Sequence, residues 1–485
     1  MKKKNNNNEE YNSLFIKISG QIKEAAKTPG IAIASFMAFL IIVIPALIAE
    51  KSLFVLTGNI GLYLLLFYLF FICLCGYKST GKRLKVGETY LLISLTALYF
   101  IAAHFIDNNA FFNGAMPISV VMPTSLIVML VSIMVSTPHA RIMGILFPLG
   151  AFLIHSFDRY ALIFALTSGI ASSFVLQNAK KRIDMAKAGA IVAIVHTITI
   201  SALLLSRKMP WMFYSTILFF SAINGIASGM LVLGITPVFE NMLHSATAFR
   251  LIELLDLGAP MMRLLASKTP GTYNHSLIVA NLAEAACQEI GARSLLARVG
   301  AYYHDIGKID QPDYFVENQK MENKHDDINP RLSATVIRSH VKLGVEKGHA
   351  IGLPNEVIDI IASHHGNSLI AYFYYEALKK EEHVEMEDFC YPGHPPQTKE
   401  AAVVMLADVT EAAVRTLDKP STSRLEKFIN ELITKKIDSA QLSQSELTFR
   451  ELETIKKIFV RVITSYYHTR IEYPNQTKDS AKDDE

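Results

Sequence analysis

Charged residues are absent from long stretches of the first half of this chain. Between residues 31 and 239, eight uncharged and mostly apolar runs alternate with short clusters of charged side chains. A helix needs about 20 apolar residues to cross a lipid bilayer, and lengths of roughly 17–25 are tolerated. Buried helices of a large soluble core are the alternative, but this would require eight such helices in succession without a charged face. The pattern therefore predicts eight transmembrane helices, near residues 31–49, 53–77, 89–106, 117–136, 141–157, 160–178, 189–206 and 211–236.

The second half of the chain has a different pattern, in which apolar residues recur at helical spacing. The segments NHSLIVANLAEAACQEIG and NEVIDIIASHHG are amphipathic, and each ends at a glycine that suits a helix C-terminus. No strand-like alternation persists beyond a few residues. We therefore expect an all-α protein, with a multi-span helical membrane domain followed by a cytoplasmic all-helical domain. The expected boundaries are a polar N-terminus at 1–30, a transmembrane domain at 31–239, a helical connector at 240–270, the second domain at 271–472 and a disordered tail at 473–485.

The charge distribution supports this division and orients the membrane part. The formal net charge of the 485 residues is only +3, but residues 31–236 carry +8 and residues 237–485 carry −8. Basic clusters follow the second and sixth predicted spans, and six lysines precede the first, so these segments are expected in the cytoplasm. An even number of spans returns the C-terminal domain to the same side. Arg207 and Lys208 are the one basic pair on the opposite side. The rule that basic residues stay in the cytoplasm therefore holds for most of the basic residues but not for this pair.

Composition excludes several other classes of protein. Hydrophobic residues make up 51% of the chain and charged residues only 19%, whereas an ordinary soluble domain has about 25% charged residues. Disorder along the whole chain is therefore excluded. The four cysteines form no CxxC pair, so neither a disulfide framework nor a zinc–thiolate site is expected. The first apolar run begins late and has no small-residue cleavage pattern, which argues against a cleaved signal peptide.

Histidines and carboxylates carry the most informative chemistry. Ten of the fifteen histidines follow residue 270, and several lie inside otherwise apolar helical stretches. Each one alone is more simply explained as a hydrogen-bonded structural residue, so the interpretation depends on the set. Imidazole and carboxylate ligands suit first-row transition metals, and seven of them exceed the needs of one tetrahedral zinc ion, which favours two ions. The candidate metal ligands are His275, His304, Asp305, His340, His364, His365 and Asp408.

The order H…HD…H…HH…D, with HDIGK at its centre, resembles the HD superfamily of metal-dependent phosphohydrolases. Longer phrases, among them YYHDIGKIDQPDYFVENQ, HHGNSLIAYFYYEAL and YPGHPPQTKEAAVVMLADVTEAAVR, resemble the seven-transmembrane-receptor HD family. Members of that family are similar to membrane-bound cyclic di-AMP phosphodiesterases. The resemblance covers roughly residues 50–470, and its HD motifs are highly specific.

The resemblance implies that residues 271–472 form an HD phosphohydrolase domain that hydrolyses cyclic di-AMP to pApA at a di-iron or di-manganese site. It assigns His275, His304, Asp305 and Asp408 to one ion and His340, His364 and His365 to the other, with Asp305 bridging both. Lys308, about one helical turn after Asp305, is assigned to the scissile phosphate, with a solvated surface lysine as the alternative. The implied location is the bacterial inner (cell) membrane, with the lipid bilayer and cyclic di-AMP as partners, no nucleic acid polymer, and a homo-oligomer left open.

The sequence departs from the family pattern at two places. Relatives typically carry a large extracytoplasmic domain between the first and second spans, where this chain has only residues 49–52. Asn274 also stands where many relatives have a histidine before the ligand histidine. Two other hypotheses remain open: an HD hydrolase of another nucleotide, such as cyclic di-GMP or an alarmone, and a membrane receptor that binds a nucleotide without cleaving it. The intact set of seven ligands argues against the receptor.

Several aromatic residues near the HDIGK motif have two interpretations. Tyr302, Tyr303, Tyr314 and Phe315 are typical of a helical core, and stacking on an adenine is the alternative, since base–aromatic stacking gives about 1–3 kcal/mol. The neighbouring segment around His325 is polar, and we interpret it as a loop over the mouth of the site rather than as a source of ligands.

Overall fold

The computed structural model describes residues 84, 86–108, 118–154, 158–207, 211–319, 323–380, 383–417 and 421–468. These residues are helical throughout apart from turns, loops and one isolated antiparallel bridge between Leu369 and Cys390. This confirms the expected all-α class for the described part of the chain. The predicted spans near 31–49 and 53–77, and most of both termini, lie outside it. The chain divides into two compact units, Met1–Phe249 and Arg250–Glu485.

The first unit contains six long or medium helices among its described residues. They are α1 (Val86–Asn108), α2 (Thr124–Met134), α3 (Thr137–Ile154), α4 (Arg159–Val175), α5 (Ile183–Arg207) and α6 (Tyr214–Leu243). Short 3-10 turns at Ile118–Val121 and Trp211–Phe213 precede α2 and α6. A further helix, α7 (Ala248–Leu254), contains the division between the units.

Three segments in the described part of this unit are long and apolar enough to cross a membrane. They are Val86–Asp107, Ile183–Ser206 and Trp211–Leu243, whereas Thr124–Met134 and Arg159–Val175 are apolar but shorter. The predicted run near 117–136 is interrupted, because Pro123 separates the 3-10 turn from α2. The structure therefore contains apolar helices of the expected membrane type, and the number of eight spans stays a prediction.

Close backbone contact and buried hydrogen bonds hold the first unit together. Helices α5 and α6 approach so closely that a Cβ added at Gly229 would lie 2.6 Å from the Cα of Gly189. His196 of α5 is buried, with Nε2 2.9 Å from Ser168 Oγ of α4 and Nδ1 3.2 Å from the Ser221 carbonyl oxygen of α6. A polar side chain in an apolar helix is thus explained by packing between three helices.

The second unit continues with nine helices in its described residues. They are α8 (Pro260–Lys268), α9 (Pro270–Glu289), α10 (Ser294–Tyr303), α11 (Pro330–Ala350), α12 (Asn355–Ser363), α13 (Ala371–Lys380), α14 (Lys399–Val414), α15 (Thr422–Asp438) and α16 (Phe449–His468). Five 3-10 turns connect them, at Ile306–Asp310, Pro312–Tyr314, Val316–Asn318, Lys324–Asp327 and Met386–Phe389. The glycines predicted at the ends of α9 and α12, Gly291 and Gly366, lie two and three residues beyond the last helical residue and have φ of 69° and 58°.

Helix α14 is the centre of the second unit. Its residues 401–408 are all buried, and α9, α10, α12, α15 and α16 pack against it. The turn after α10 lies directly on α11, where a Cβ added at Gly307 would come within 1.9 Å of the His340 carbonyl oxygen. Only glycine permits this approach, which brings the HDIGK segment beside the histidine of α11.

Candidate metal centre

All seven predicted ligand residues meet at one place in the second unit, although they come from five separate segments. His275 lies on α9, His304 ends α10, His340 lies on α11, His364 and His365 follow α12, and Asp408 lies on α14. Asp305 precedes the 3-10 turn Ile306–Asp310 and occupies the middle of the group. One carboxylate oxygen of Asp305, Oδ2, is 3.3 Å from His304 Nε2. The other, Oδ1, is 3.4 Å from His340 Nε2 and 3.6 Å from His364 Nε2.

Distances divide these side chains into two candidate sites. Asp305, His340, His364 and His365 form one group, and His275, His304 and Asp408 form the other. Within each group, one ligand atom per residue lies within 4.8 Å of the others. Asp305 also faces the second group, with Oδ2 3.9 Å from His275 Nε2. The structure thus brings all seven predicted residues together, and their assignment as metal ligands stays a prediction.

Four of the five histidines are held so that Nε2 faces the centre of the cluster, whereas His365 has Nδ1 3.6 Å from Asp408 Oδ2. Nδ1–H of His304, His340 and His364 each donates to the backbone carbonyl three residues earlier, at 2.8, 2.6 and 2.7 Å. Nδ1 of His275 is hydrogen-bonded to the carboxylate of Glu411. These bonds leave the Nε2 lone pairs directed inward, which is the arrangement that oriented metal-binding histidines adopt.

Two atoms at the centre have unmet bonding capacity. His304 Nε2 and Asp305 Oδ1 are buried and have no hydrogen-bond partner within the described part of the chain. Burial of such atoms is unfavourable unless they bind something. Imidazole nitrogens and carboxylate oxygens are ligands for iron, manganese and zinc. The residues present therefore fit a pair of transition-metal ions.

Electrostatics keep His340 and Asp305 in the forms that metals bind, whereas His275 would have to lose a proton to bind a metal. Burial lowers the pKa of His340 to about 3, so its imidazole is neutral at physiological pH. Burial alone would raise the pKa of Asp305, but His304 and the Lys308 ammonium hold it well below the usual range. Burial also opposes protonation of His275, but hydrogen bonds to Asp408 and Glu411 outweigh it and raise the pKa to about 10. The two carboxylates thus stabilise the protonated ring of His275, and a metal ion bound at Nε2 would replace the proton there.

Lys308 is fixed by two carboxylates rather than exposed to solvent. Its Nζ donates to Asp305 Oδ2 at 2.7 Å and to Glu317 Oε1 at 2.8 Å. Glu317 also accepts a hydrogen bond from Thr272 Oγ1 at 2.9 Å, which ties this pair to the first turn of α9. Burial alone would lower the pKa of Lys308, but the two carboxylates raise it, so the ammonium stays charged.

Three residues of the site were not predicted from the sequence. Glu317 holds Lys308, Glu411 holds His275, and the Tyr391 ring stacks on His365 with centroids 4.3 Å apart. Glu411 follows Asp408 by three residues, so its position on the same face of α14 was a usable signal. Nothing comparable marked Glu317 or Tyr391 as neighbours of the cluster.

Among the aromatic residues near the HDIGK motif, Tyr302, Tyr303 and Phe315 are buried, as expected for a helical core, and stacking on an adenine stays a hypothesis. Tyr302 and Tyr303 are buried in the core, and the Tyr303 hydroxyl donates to the Leu254 carbonyl oxygen at 3.3 Å. Phe315 lies edge-on to His340, with centroids 5.6 Å apart. His325 is outside both candidate groups, and its Nε2 is 2.8 Å from the Tyr314 carbonyl oxygen.

A cavity of about 450 Å³ opens beside the two groups. His275, His340, His364, His365 and Asp408 line one part of it. Its other walls carry apolar residues, including Phe315, Ile337 and Met405, together with the cations Lys308, Arg415 and Lys436. Sites for small molecules commonly have this volume and this mixture of apolar walls with a few polar groups.

Comparison with known proteins agrees with both units. Residues 272–413 match the HD domain family, and residues 53–247 match the family described as 7TM receptor with intracellular HD hydrolase. Cyclic-di-AMP phosphodiesterase PgpH of Bacillus subtilis (strain 168) is 41% identical over 319 residues, which cover 65% of this chain and 45% of that protein. PgpH of Listeria monocytogenes serotype 1/2a (strain 10403S) is 33% identical over 403 residues, which cover 82% of this chain and 56% of that protein.

This chain thus spans about half the length of the curated relatives it matches. A crystal structure of the L. monocytogenes PgpH HD domain in complex with cyclic di-AMP is 41% identical to it, covers 44% of this chain and 100% of the solved one, and has a TM-score of 0.43. The two family matches together include both parts that the family description names. The chain belongs to the family of 7TM receptors with an intracellular HD hydrolase.

Proposed function

We propose that this protein is a membrane-anchored phosphodiesterase that hydrolyses cyclic di-AMP to the linear dinucleotide pApA. The observation that carries the proposal is the convergence of five imidazoles and two carboxylates beside a cavity of about 450 Å³. The two relatives described above are named cyclic-di-AMP phosphodiesterases, which supports the choice of substrate.

The residues of the cluster would hold two metal ions. We assign His275, His304 and Asp408 to one ion and His340, His364 and His365 to the other, with Asp305 shared between them. Two such ions, iron or manganese in our proposal, would supply a hydroxide nucleophile near neutral pH and Lewis-acid stabilisation of the phosphate charge.

The remaining polar groups act on the substrate and on the ligands. Lys308, held between Asp305 and Glu317, presents its ammonium at the cavity wall, where it would donate a hydrogen bond to an oxygen of the scissile phosphate. Charge-assisted bonds of this kind stabilise the additional negative charge that phosphate gains as the nucleophile attacks. The apolar walls exclude water from these interactions, which strengthens them.

We also propose that eight helices anchor the protein in the bacterial inner membrane, with the N-terminus and the HD domain in the cytoplasm. Three long apolar segments among the described residues support membrane insertion. The basic clusters around residues 78–85 and 180–187 support the orientation. Reporter fusions to the loops between the predicted spans test both statements, since a cytoplasmic signal from the loop at 107–116 would contradict them.

The activity is tested with the full-length protein purified in detergent and supplied with Mn²⁺. We expect pApA as the product of cyclic di-AMP, and none after treatment with a chelator. Cyclic di-GMP and guanosine tetraphosphate serve as competing substrates. Turnover of one of these without any turnover of cyclic di-AMP would refute the proposed substrate, and binding of cyclic di-AMP without hydrolysis would favour the receptor hypothesis.

A further inference from the structure

Three cationic side chains line the cavity, and they differ in their partners. Lys308 is paired with Asp305 and Glu317, and Arg415 donates to Glu411 Oε1 through Nη2 at 2.6 Å. Lys436 has no ion-pair partner among the described residues, and its Nζ donates instead to the neutral hydroxyl of Ser368 at 2.8 Å. Of these three cations, Lys436 is therefore the one without a carboxylate at ion-pair distance among the described residues, although the charge of Asp408 acts on it from farther away and partly offsets the lowering of its pKa by burial.

The position of Lys436 on its helix is unusual for a lysine. The buried residues of α15 are Leu425, Ile429 and Ile433, which recur every four residues and define its inner face. Lys436 comes three residues after Ile433 and continues that face, where another apolar residue would be expected. It is half-buried, and burial lowers the pKa of its ammonium. A half-buried cation with no directly paired counter-ion costs free energy, which points to a ligand that supplies the negative charge.

A cyclic dinucleotide has the negative charge that Lys436 lacks. Its ring contains two phosphodiesters, each with one negative charge, and only one of them can be at the metal centre. The second remains charged while it lies in the cavity, and Lys436 is the cavity cation that has no directly paired carboxylate to compete with it among the described residues. Lysine commonly binds phosphate as a compact point charge with rotatable donors.

Building on the proposed function, we propose that Lys436 binds the phosphodiester of cyclic di-AMP that is not cleaved. Lys308 and Lys436 would then serve different phosphates of the same substrate. Since a ligand with a single phosphodiester leaves the Lys436 position empty, this residue would select for cyclic dinucleotides over simple phosphodiesters.

A structural role is the rival explanation for Lys436. It lies in the last turn of α15, where a cation interacts favourably with the helix dipole. Its bond to Ser368 also ties α15 to the loop that follows His365. A structural role would affect all ligands of the site alike, whereas phosphate binding would affect only ligands that have the second phosphodiester.

The test compares two ligands of the full-length protein in detergent with Mn²⁺. Cyclic di-AMP has two phosphodiesters, and ApA has both adenines but only one. We expect Lys436→Gln to raise the KM for cyclic di-AMP by about tenfold, the loss expected for one charge-assisted hydrogen bond. The inhibition constant of ApA should not change. Binding of a hydrolysis-resistant phosphorothioate analogue of cyclic di-AMP should weaken by the same factor as the KM rises.

Two further variants complete the design. Lys435→Gln removes an exposed lysine next to Lys436 on α15 and should change neither the KM for cyclic di-AMP nor the inhibition constant of ApA. Lys436→Arg keeps the charge and should preserve most of the affinity for cyclic di-AMP. An unchanged KM in Lys436→Gln, or equal weakening of cyclic di-AMP and ApA, overturns the inference without affecting the proposed activity. Failure of the wild type to release pApA would refute the proposed activity instead. The affinity of Lys436→Gln for the phosphorothioate analogue would still test whether Lys436 binds the second phosphodiester.

Discussion

Glu411 allows the sharpest test of how this site is built, because it touches the candidate metal centre only through a ligand. The Glu411 side chain is 7% exposed, and one of its oxygens is hydrogen-bonded to Nδ1 of His275. The opposite nitrogen of that ring, Nε2, lies 3.0 Å from Asp408 Oδ1 inside the group formed with His304. Glu411 would therefore orient His275 and make its Nε2 a stronger metal ligand, although Glu411 itself belongs to neither candidate group.

The expected magnitude follows from this arrangement. Loss of an outer carboxylate that orients a ligand histidine typically reduces metal affinity by about 10–100-fold, or about 1.4–2.8 kcal/mol. Glu411→Gln keeps an oxygen that accepts from Nδ1–H but removes the charge, so we expect the lower end of this range. Glu411→Ala also leaves the buried Nδ1–H without its acceptor, so we expect the upper end.

The assay is a stepwise titration of the chelator-treated full-length protein with Mn²⁺ in competition with a fluorescent chelator. We expect the group containing His275 to lose affinity, while the group formed by His340, His364 and His365 changes little. Arg415→Gln is the matched control, since it removes the other partner of Glu411 and leaves the bond to His275 intact. Wild-type affinities at both sites in Glu411→Ala would refute the reasoning, and so would equal weakening of both sites.

Three other substitutions test the site and its support. Asp305→Ala removes the carboxylate that faces both groups, so we expect neither ion to remain at wild-type stoichiometry. Full retention of manganese would contradict the bridging position of Asp305. Lys308→Gln should lower kcat by roughly 100-fold, the loss typical of a donor to a developing anion. The metal content should not change. An unchanged kcat would mean that this lysine has no catalytic role. Gly307→Ala places a Cβ 1.9 Å from the His340 carbonyl oxygen and should lower the unfolding temperature. Gly234→Ala, where no atom lies within 4 Å of the added carbon, is its control and should not lower that temperature.

The sequence predicted the seven clustered residues because their chemistry is unusual where they occur. Histidines inside apolar helices and an aspartate after seven uncharged residues have few structural explanations, and their common role follows from the set. Glu317 has no such mark, because carboxylates are ordinary in loops, and the spacing of Glu411 from Asp408 indicates a shared helix face but not a histidine partner. Glu411 is 136 residues away from His275, and only the packing of α14 against α9 brings them together.

Hydropathy predicted which segments of the membrane unit are apolar but not where their helices begin and end. The run near 89–106 extends to Val86–Asn108, since Glu88 and Asn108 continue the helix beyond its apolar part. The run near 117–136 is interrupted at Pro123, which cannot donate a backbone hydrogen bond and so favours a break before α2. Hydropathy indicates whether a segment prefers lipid or water. Where a helix begins and ends depends instead on single residues, such as a proline that lacks a backbone donor.

The precision of the metal centre follows from where two of its histidines lie on their helices. His304 and His364 come directly after α10 and α12, whose last carbonyl oxygens have no partner within the helix. Nδ1–H of each ring donates to one of these oxygens, at Ala301 and Ile361. The same hydrogen bond therefore caps the helix and directs Nε2 towards Asp305. Because stability and ligand orientation depend on one bond, a packing change that shifts the end of α10 or α12 would also displace a candidate ligand, even far from the cavity.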